Sequence, residues 1–295
     1  MNTSDLPDLP CYLNGELTNL REAKVSVMDR GFIFGDGVYE VVPVYAGRPF
    51  RFTDHMGRLD RSLGEMRIPN PMSLDQWRSM VDGLVDAYAR KLGKAPKDTD
   101  QLVYLHVTRG VAMRDHVMPA DITPTVFATS NRMSPPSAAA RADGVACVSA
   151  DDFRWQKAHI KSLSLAGAVL SRQMSADVGA TETVMFRDGY LSEAAASNVW
   201  VVKDGALTGT PKDNLVLEGI RYGLIEELCR AEGIPFELRR ISRGEVFGAD
   251  ELLLSSATKE VLPVTQLDGR PIGTGRPGPI YEKLYAGYQR AKQNP

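Results

Sequence analysis

The chain's 295 residues carry 35 Lys and Arg against 37 Asp and Glu, a formal net charge of -2 at pH 7, which gives no electrostatic reason to expect nucleic acid or an anionic membrane as a partner. With 43% hydrophobic and 24% charged residues the composition is that of a soluble globular protein long enough for two domains, and no apolar run is long enough to span a bilayer. The opening Met1-Asn2-Thr3-Ser4-Asp5 lacks the basic start and apolar stretch of a signal peptide, and Cys11, Cys147 and Cys229 make neither a disulfide framework nor a zinc pattern, so the expected compartment is the cytoplasm.

In chain order, residues 11–52 read as short strands joined by tight turns, with Asn14-Gly15 as a two-residue hairpin signal. Thr53 or Asp54 is placed to cap a helix with Met56, Leu59, Leu63 and Met66 on one face. Ser73 with Gln76 forms a capping box for a second helix that turns Trp77, Val81, Leu84, Val85 and Tyr88 inward. Residues 102–109 and 125–129 read as strands. The stretch 131–142, with Pro135-Pro136 and no periodicity, reads as a linker. It divides a domain over 1–130 from one over 143–295. Residues 145–155 read as a strand and a bend, and 163–178 as a helix of small and apolar residues. Asp188-Gly189, Asp204-Gly205 and Asp268-Gly269 predict hairpins. Gly219 opens a helix ending near Gly233, and Pro279 starts a final one. The class is α+β in the first half and mixed α/β in the second.

Lys161 falls at the expected strand-to-helix junction, in Ile160-Lys161-Ser162-Leu163-Ser164-Leu165-Ala166-Gly167. Small and apolar neighbours solvate an ammonium poorly, and a neutral amine condenses with a carbonyl cofactor to form a Schiff base. Downstream, Ser192-Glu193-Ala194-Ala195-Ala196-Ser197-Asn198 offers a carboxylate among small residues. A lysine for the imine and a carboxylate for a pyridinium nitrogen are the two protein groups that pyridoxal phosphate chemistry requires. Gly219-Ile220 at a helix start supplies backbone N–H groups suited to a phosphate. A nucleotide-binding module on Gly31, Gly35 and Gly37 is a weaker option, because the run lacks the P-loop Lys-Ser/Thr and leads into β-like residues. A non-catalytic scaffold is a second alternative. His55, His106 and His159 have no metal-ligand spacing, so no metal is expected.

Six stretches run in one order: Asp29-Arg30-Gly31-Phe32-Ile33-Phe34-Gly35-Asp36-Gly37-Val38-Tyr39-Glu40-Val41-Val42; Val107-Thr108-Arg109-Gly110 through Arg114-Asp115-His116; Ile160-Lys161-Ser162-Leu163; Glu193 through Asn198; Leu217-Glu218-Gly219-Ile220; and Ser255-Ser256-Ala257-Thr258-Lys259-Glu260. On these the chain, from about Tyr12 to Tyr288, resembles the fold-type IV pyridoxal-phosphate aminotransferases, most closely the bacterial D-amino-acid transaminases. The resemblance implies a smaller N-terminal domain, a larger barrel-like C-terminal domain and a cofactor cleft between them. It assigns Lys161 as the Schiff-base lysine and catalytic base, Glu193 as partner of the pyridine nitrogen and Arg58 as phosphate ligand. Ser197, Asn198, Gly219, Ile220, Arg221, Ser256, Ala257 and Thr258 are carried over as cofactor-binding positions. Two of these depart from the closest relatives, since Arg221 replaces a threonine and Ala257 stands within their Ser-Thr-Thr run. Ala195 and Ala196 also stand where those relatives have serines.

For the substrate carboxylate the resemblance implies Tyr39, with Arg114 and His116 reaching over from the neighbouring subunit of a homodimer, and Val41 lining the pocket. An arginine, an imidazole and a phenol together are a donor-rich trap for a carboxylate. The expected reaction is a ping-pong transfer of an amino group between D-amino acids, of the D-alanine and D-glutamate type, and 2-oxo acids. Branched-chain L-aminotransferases, aminodeoxychorismate lyases and (R)-selective amine transaminases share the frame and are the alternatives.

Overall fold

The computed structural model describes residues 5–293. The chain forms two compact units. Of the described residues, one unit contains 5–133 together with Ile160–Leu165, and the other contains Ser134–His159 and 166–293.

The first unit is built on a six-stranded antiparallel sheet. Its elements are β1 (Pro10–Leu13), β2 (Glu16–Asn19), α1 (Arg30–Phe34), β3 (Gly37–Tyr45), β4 (Arg48–Pro49), α2 (Phe52–Glu65), α3 (Leu74–Lys91), β5 (Gln101–Thr108) and β6 (Thr125–Arg132). The strand order is β2-β1-β6-β5-β3-β4. Alternation along the strands sorts the residues. Val38, Val42, Val103, Leu105, Val107 and Val126 pack with Met56, Leu59, Leu63, Trp77 and Leu84 of the two helices in one core. The intervening Tyr39, Val41, Tyr104, His106 and Phe127 stay half-buried.

The capping box at Ser73 and Gln76 forms as the sequence predicts, with both reciprocal bonds made. The start of α2 differs from expectation. Arg51 occupies its cap position at φ 55 with no side-chain cap bond, and Thr53 and Asp54 lie inside the helix. The short helix α1 was not expected. The Asp29 carboxylate accepts from Gly31 N at 2.8 Å to start it, and left-handed Gly35 ends it.

Segment 160–165 departs most from the sequence reading. It was expected as a strand-to-helix junction within the C-terminal domain, but it packs with the first unit instead. Ser162 bridges Val38, Tyr39 N donates to Lys161 O at 3.0 Å, and Leu163 N donates to Gly37 O at 2.9 Å. Gly37 makes this approach possible: a Cβ there would stand 2.5 Å from Val107 O and 2.8 Å from Leu163 Cδ1. The following helix accordingly begins at Ala166, not at 163.

The second unit contains α4 (Ala138–Ala142), β7 (Val145–Asp151), α5 (Ala166–Asp177), β8 (Glu182–Arg187), β9 (Tyr190–Ala194), β10 (Asn198–Lys203), β11 (Ala206–Gly209), α6 (Arg221–Glu232), β12 (Phe236–Leu238), α7 (Arg243–Phe247), β13 (Glu251–Ser256), β14 (Glu260–Leu267), β15 (Arg270–Pro271) and α8 (Pro279–Gln293). Its sheet runs β12-β11-β10-β13-β14-β7-β8-β9, with β15 on β14. Pairs β11–β12, β14–β7 and β7–β8 are parallel and the others antiparallel. The mixed α/β class expected here is what the unit shows.

All three Asp-Gly pairs turn hairpins, with φ of 52 and 80 at Asp188-Gly189, 49 and 76 at Asp204-Gly205, and 50 and 73 at Asp268-Gly269. Two successive left-handed residues match the right-handed twist of the flanking strands. The expected linker 131–142 is partly regular. Strand β6 continues to Arg132 against Gln101, and Ser137 caps α4, whose Arg141 reaches the buried Glu260 at 2.8 Å. The three cysteines are free and buried. Among the described residues no helix is long and apolar enough to cross a membrane.

Candidate active site

Lys161 is half-buried. Its own backbone is held on both sides, N to Ser62 Oγ at 3.3 Å and O to Tyr39 N at 3.0 Å. The pairing with β3 lays the side chain over Tyr39, with Nζ 4.0 Å from the ring centroid. Tyr39 continues into a row on the same sheet face. Its ring lies 5.9 Å from that of Tyr104, whose hydroxyl is 3.0 Å from His106 Nδ1. Val41 pairs with Tyr104 across the strands. Burial pushes the Tyr104 phenol up to about 12 and the His106 imidazole down to about 4, so both are neutral at pH 7.

Arg58 is buried, not the exposed helix charge that its sequence context alone suggests. Its Nε and Nη2 donate to Glu40 Oε1 and Oε2 at 2.6 and 2.9 Å, and His55 Nδ1 lies 2.7 Å from Oε2. Burial pushes the Glu40 carboxyl up, but Arg58 and His55 outweigh it, and the group lies well below the usual carboxylate range. In the sequence Glu40 has no role of its own, and His55 enters only as a metal-ligand candidate that its spacing sets aside. Their signal was faint: a Glu at an inward position of an otherwise apolar strand, and a His three residues before Arg58 on one helix.

The proposed substrate pair sits on a small platform. Arg114 and His116 are exposed and both face Phe34 of α1, at 5.4 and 5.5 Å from its ring. Arg30, 4.8 Å from the same ring, donates to the Asp115 carbonyl at 2.5 Å. Beneath, Arg30 and Arg109 share the Asp36 carboxylate at 2.7 and 2.8 Å. Burial raises the Asp36 carboxyl, and the two guanidiniums overrule it and leave it lowered.

In the second unit Glu193 is buried under four contacts from three donors. Arg154 Nη1 reaches Oε1 at 2.7 Å, Leu217 N lies 3.3 Å from each oxygen, and Asn198 Nδ2 is 3.2 Å from Oε2. Asn198 also donates to Leu217 O at 2.8 Å. A Cβ on Gly219 would lie 2.1 Å from Asn198 Oδ1, so this position admits glycine alone without rearrangement. Burial is the largest influence on Glu193 and pushes its carboxyl up, against Arg154 and the Leu217 amide.

Other positions have different partners. Ser197 Oγ donates to Glu182 at 3.0 Å, which also takes Lys259 Nζ at 2.8 Å. Ser256 Oγ and Thr258 Oγ1 stand 3.4 Å apart, on either side of Ala257. Helix α6 begins at Arg221, two residues after Gly219, with Ile220 as its cap. The Arg221 side chain is buried and bonds the Tyr288 hydroxyl of α8 through Nε at 3.1 Å and Nη2 at 2.8 Å. The structure thus brings Lys161 together with Tyr39, Arg114 with His116, and Glu193 with Asn198.

The first unit holds a primary amine laid on an aromatic ring, and the second holds a buried carboxylate fixed by three donors with a glycine beside it; each is a residue type that pyridoxal phosphate chemistry requires. The glycines of the nucleotide-binding alternative are used otherwise. Gly35 ends the five-residue α1 and Gly37 opens β3.

Comparison with known proteins agrees. The family model for amino-transferase class IV matches residues 37–267. The D-alanine aminotransferase of Bacillus licheniformis is 36% identical, over 94% of this chain and 95% of that protein. The one from Staphylococcus aureus (strain N315) is 35% identical, over 95% and 96%. Among solved structures, the Escherichia coli branched-chain amino acid aminotransferase superposes with a TM-score of 0.83 at 26% identity, covering 95% of this chain and 93% of that one. A second branched-chain amino acid aminotransferase, solved with pyridoxamine 5'-phosphate and designated T.th., shares the fold, with a TM-score of 0.88 at 21% identity and coverage of 98% and 96%. Fold-type IV aminotransferases use pyridoxal phosphate. This chain belongs to the class IV aminotransferases.

Proposed function

We propose that this aminotransferase moves the amino group of D-amino acids, of the D-alanine and D-glutamate type, to 2-oxo acids in two half-reactions. The observation that carries the D-amino-acid reading is that Arg114 and His116, two donors suited to a carboxylate, both lie against the Phe34 ring. The similarity to D-alanine aminotransferases supports it. Pyridoxal phosphate, when bound, supplies the aldehyde that carries nitrogen and the ring that accepts electrons.

The chain's own residues do the rest. Lys161 Nζ would be the nucleophile that holds the cofactor and the base that moves the α-proton. Glu193 would keep a proton on the ring nitrogen. Arg58, the Gly219 and Ile220 amides, and the hydroxyls of Ser256 and Thr258 are the groups that would hold the phosphate. Arg221 contributes through the Tyr288 hydroxyl and the footing of α6. Tyr39 and Val41 face the substrate. A panel of D-alanine, L-alanine, L-leucine, aminodeoxychorismate and an (R)-amine, each with 2-oxoglutarate where an acceptor is needed, tests the reading. D-alanine is expected to exceed L-alanine in kcat/KM by at least about 100-fold, because a site that fixes the carboxylate and aims the Cα proton at one base misplaces a group of the other enantiomer, and a misplacement of about 1 Å costs about 10²-fold. Faster turnover of L-leucine would overturn it in favour of a branched-chain enzyme.

We further infer a homodimer in which Arg114 and His116 serve the partner's Lys161. Mixing an inactive Lys161→Ala chain with an inactive Arg114→Ala chain is then expected to restore turnover, because one of the two sites in the mixed dimer is intact. Two inactive chains that stay inactive after dissociation and reassembly would exclude the shared site. A cytoplasmic location fits three free, buried thiols.

A further inference from the structure

Arg154 follows β7 in the bend before segment 160–165, and its guanidinium is divided between two carboxylates. Nε donates to Asp152 Oδ1 and Nη2 to Asp152 Oδ2, both at 2.9 Å. The third nitrogen, Nη1, donates to Glu193 Oε1 at 2.7 Å. Arg187 backs the arrangement, with Nη2 3.2 Å from Asp152 Oδ2 and 3.0 Å from the Arg154 carbonyl. Gly167 leaves the room in which the stem runs, since a Cβ there would lie 3.0 Å from Arg154 Cγ.

We propose that Asp152 and Arg154 form a positioning relay that aims Glu193 at the cofactor's ring nitrogen, with Arg154 as the counter-cation of that carboxylate inside the protein. This rests on the ring-nitrogen role of Glu193. A guanidinium is rigid and planar, so two nitrogens fixed on one acid set the direction of the third. Orientation therefore passes from Asp152 through Arg154 to Glu193 Oε1. A buried carboxylate without a cation reverts to the neutral acid, which has no charge to hold a proton on the ring nitrogen and accepts only weakly. Burial pushes the Glu193 carboxyl in that direction, and Arg154 opposes it. The guanidinium charge is itself secured: burial works against it, and Asp152 and Glu193 overrule burial and hold it above its ordinary range. Asp152 and Arg154 touch the carboxylates and not the reacting atoms, so they are positioning residues.

Arg154→Met would strand two buried carboxylates, so the test uses Arg154→Lys, which keeps the charge and loses the fork. The holoenzyme is stripped and titrated with pyridoxal phosphate and with its carbocyclic analogue, in which CH replaces the ring nitrogen. Arg154→Lys is expected to weaken pyridoxal phosphate about tenfold, the worth of a charge-assisted hydrogen bond, and the analogue by less than about twofold. In a Glu193→Gln background the same change is expected to add nothing. Gly167→Ala, which crowds the stem and alters no charge, is expected to move the preference the same way. Equal loss of both ligands, or a full effect that persists without Glu193, overturns the relay. A wild type that holds both ligands equally, with no response to Glu193→Gln, overturns the reading of Glu193 itself and the relay with it.

Discussion

Lys161→Ala is expected to lower transamination by about 10⁴-fold or more, because one nitrogen does two jobs. General-base transfer by a positioned side chain contributes about 10²–10⁴-fold, and loss of the covalent tether adds to that. The variant should fold. The contacts that seat the segment are backbone ones, Tyr39 N to Lys161 O, Lys161 N to Ser62 Oγ and the Ser162–Val38 bridge. Truncation leaves them in place and removes only Nζ from above the Tyr39 ring. Two measurements check the expectation besides turnover. Borohydride reduction of the wild type should place a pyridoxyl mass on the peptide containing Lys161, and the variant should carry none. A small primary amine added to the variant should return part of the proton-transfer rate, since the missing group is an amine in a half-buried site. Near-wild-type turnover in Lys161→Ala, or a tag on another lysine, would end the assignment.

What could be read from the sequence were features whose cause is local. The Asp-Gly hairpins depend on two residues that tolerate left-handed backbone, and all three turned as expected. The Ser73–Gln76 box closes within four residues. Lys161 stood out because its neighbours are small and apolar. What could not be read was the company these residues keep. That 160–165 belongs with β3 depends on the missing side chain of Gly37, far away along the chain. Arg58 looks like a helix-surface charge until Glu40, 18 positions earlier, is folded against it. Arg221 looked ready for phosphate by its place after Gly219-Ile220, yet Tyr288, 67 positions later, takes its guanidinium. Arg154 lay in a bend with no periodicity, and its meaning comes from Glu193, 39 positions on. Side-chain pairs at such separations leave no spacing pattern, so the charged interior of the site was the least legible part of the chain.

That charged interior is also where a conservative change should cost the most stability. Glu40→Gln keeps the shape of a side chain with no exposed surface but leaves Arg58 buried without the carboxylate that holds two of its nitrogens and faces His55. Breaking a buried pair from one side costs about 3–5 kcal/mol. In a chain of this size that lowers Tm by roughly 10 °C. The pH dependence gives the cause away. Arg58 and His55 hold the Glu40 carboxyl well below its ordinary value of 4.5, against burial. The folded protein therefore gives up this proton more readily than the unfolded chain does. The stabilisation is complete above the unfolded carboxyl's range and is lost as pH falls through it toward the folded value. Glutamine has no such group, so the gap in Tm between wild type and Glu40→Gln is expected to be widest near pH 7 and to narrow as pH drops below about 4.5. A gap that stays constant from pH 7 to about pH 3 would show that packing at Glu40, and not its charge, secures Arg58.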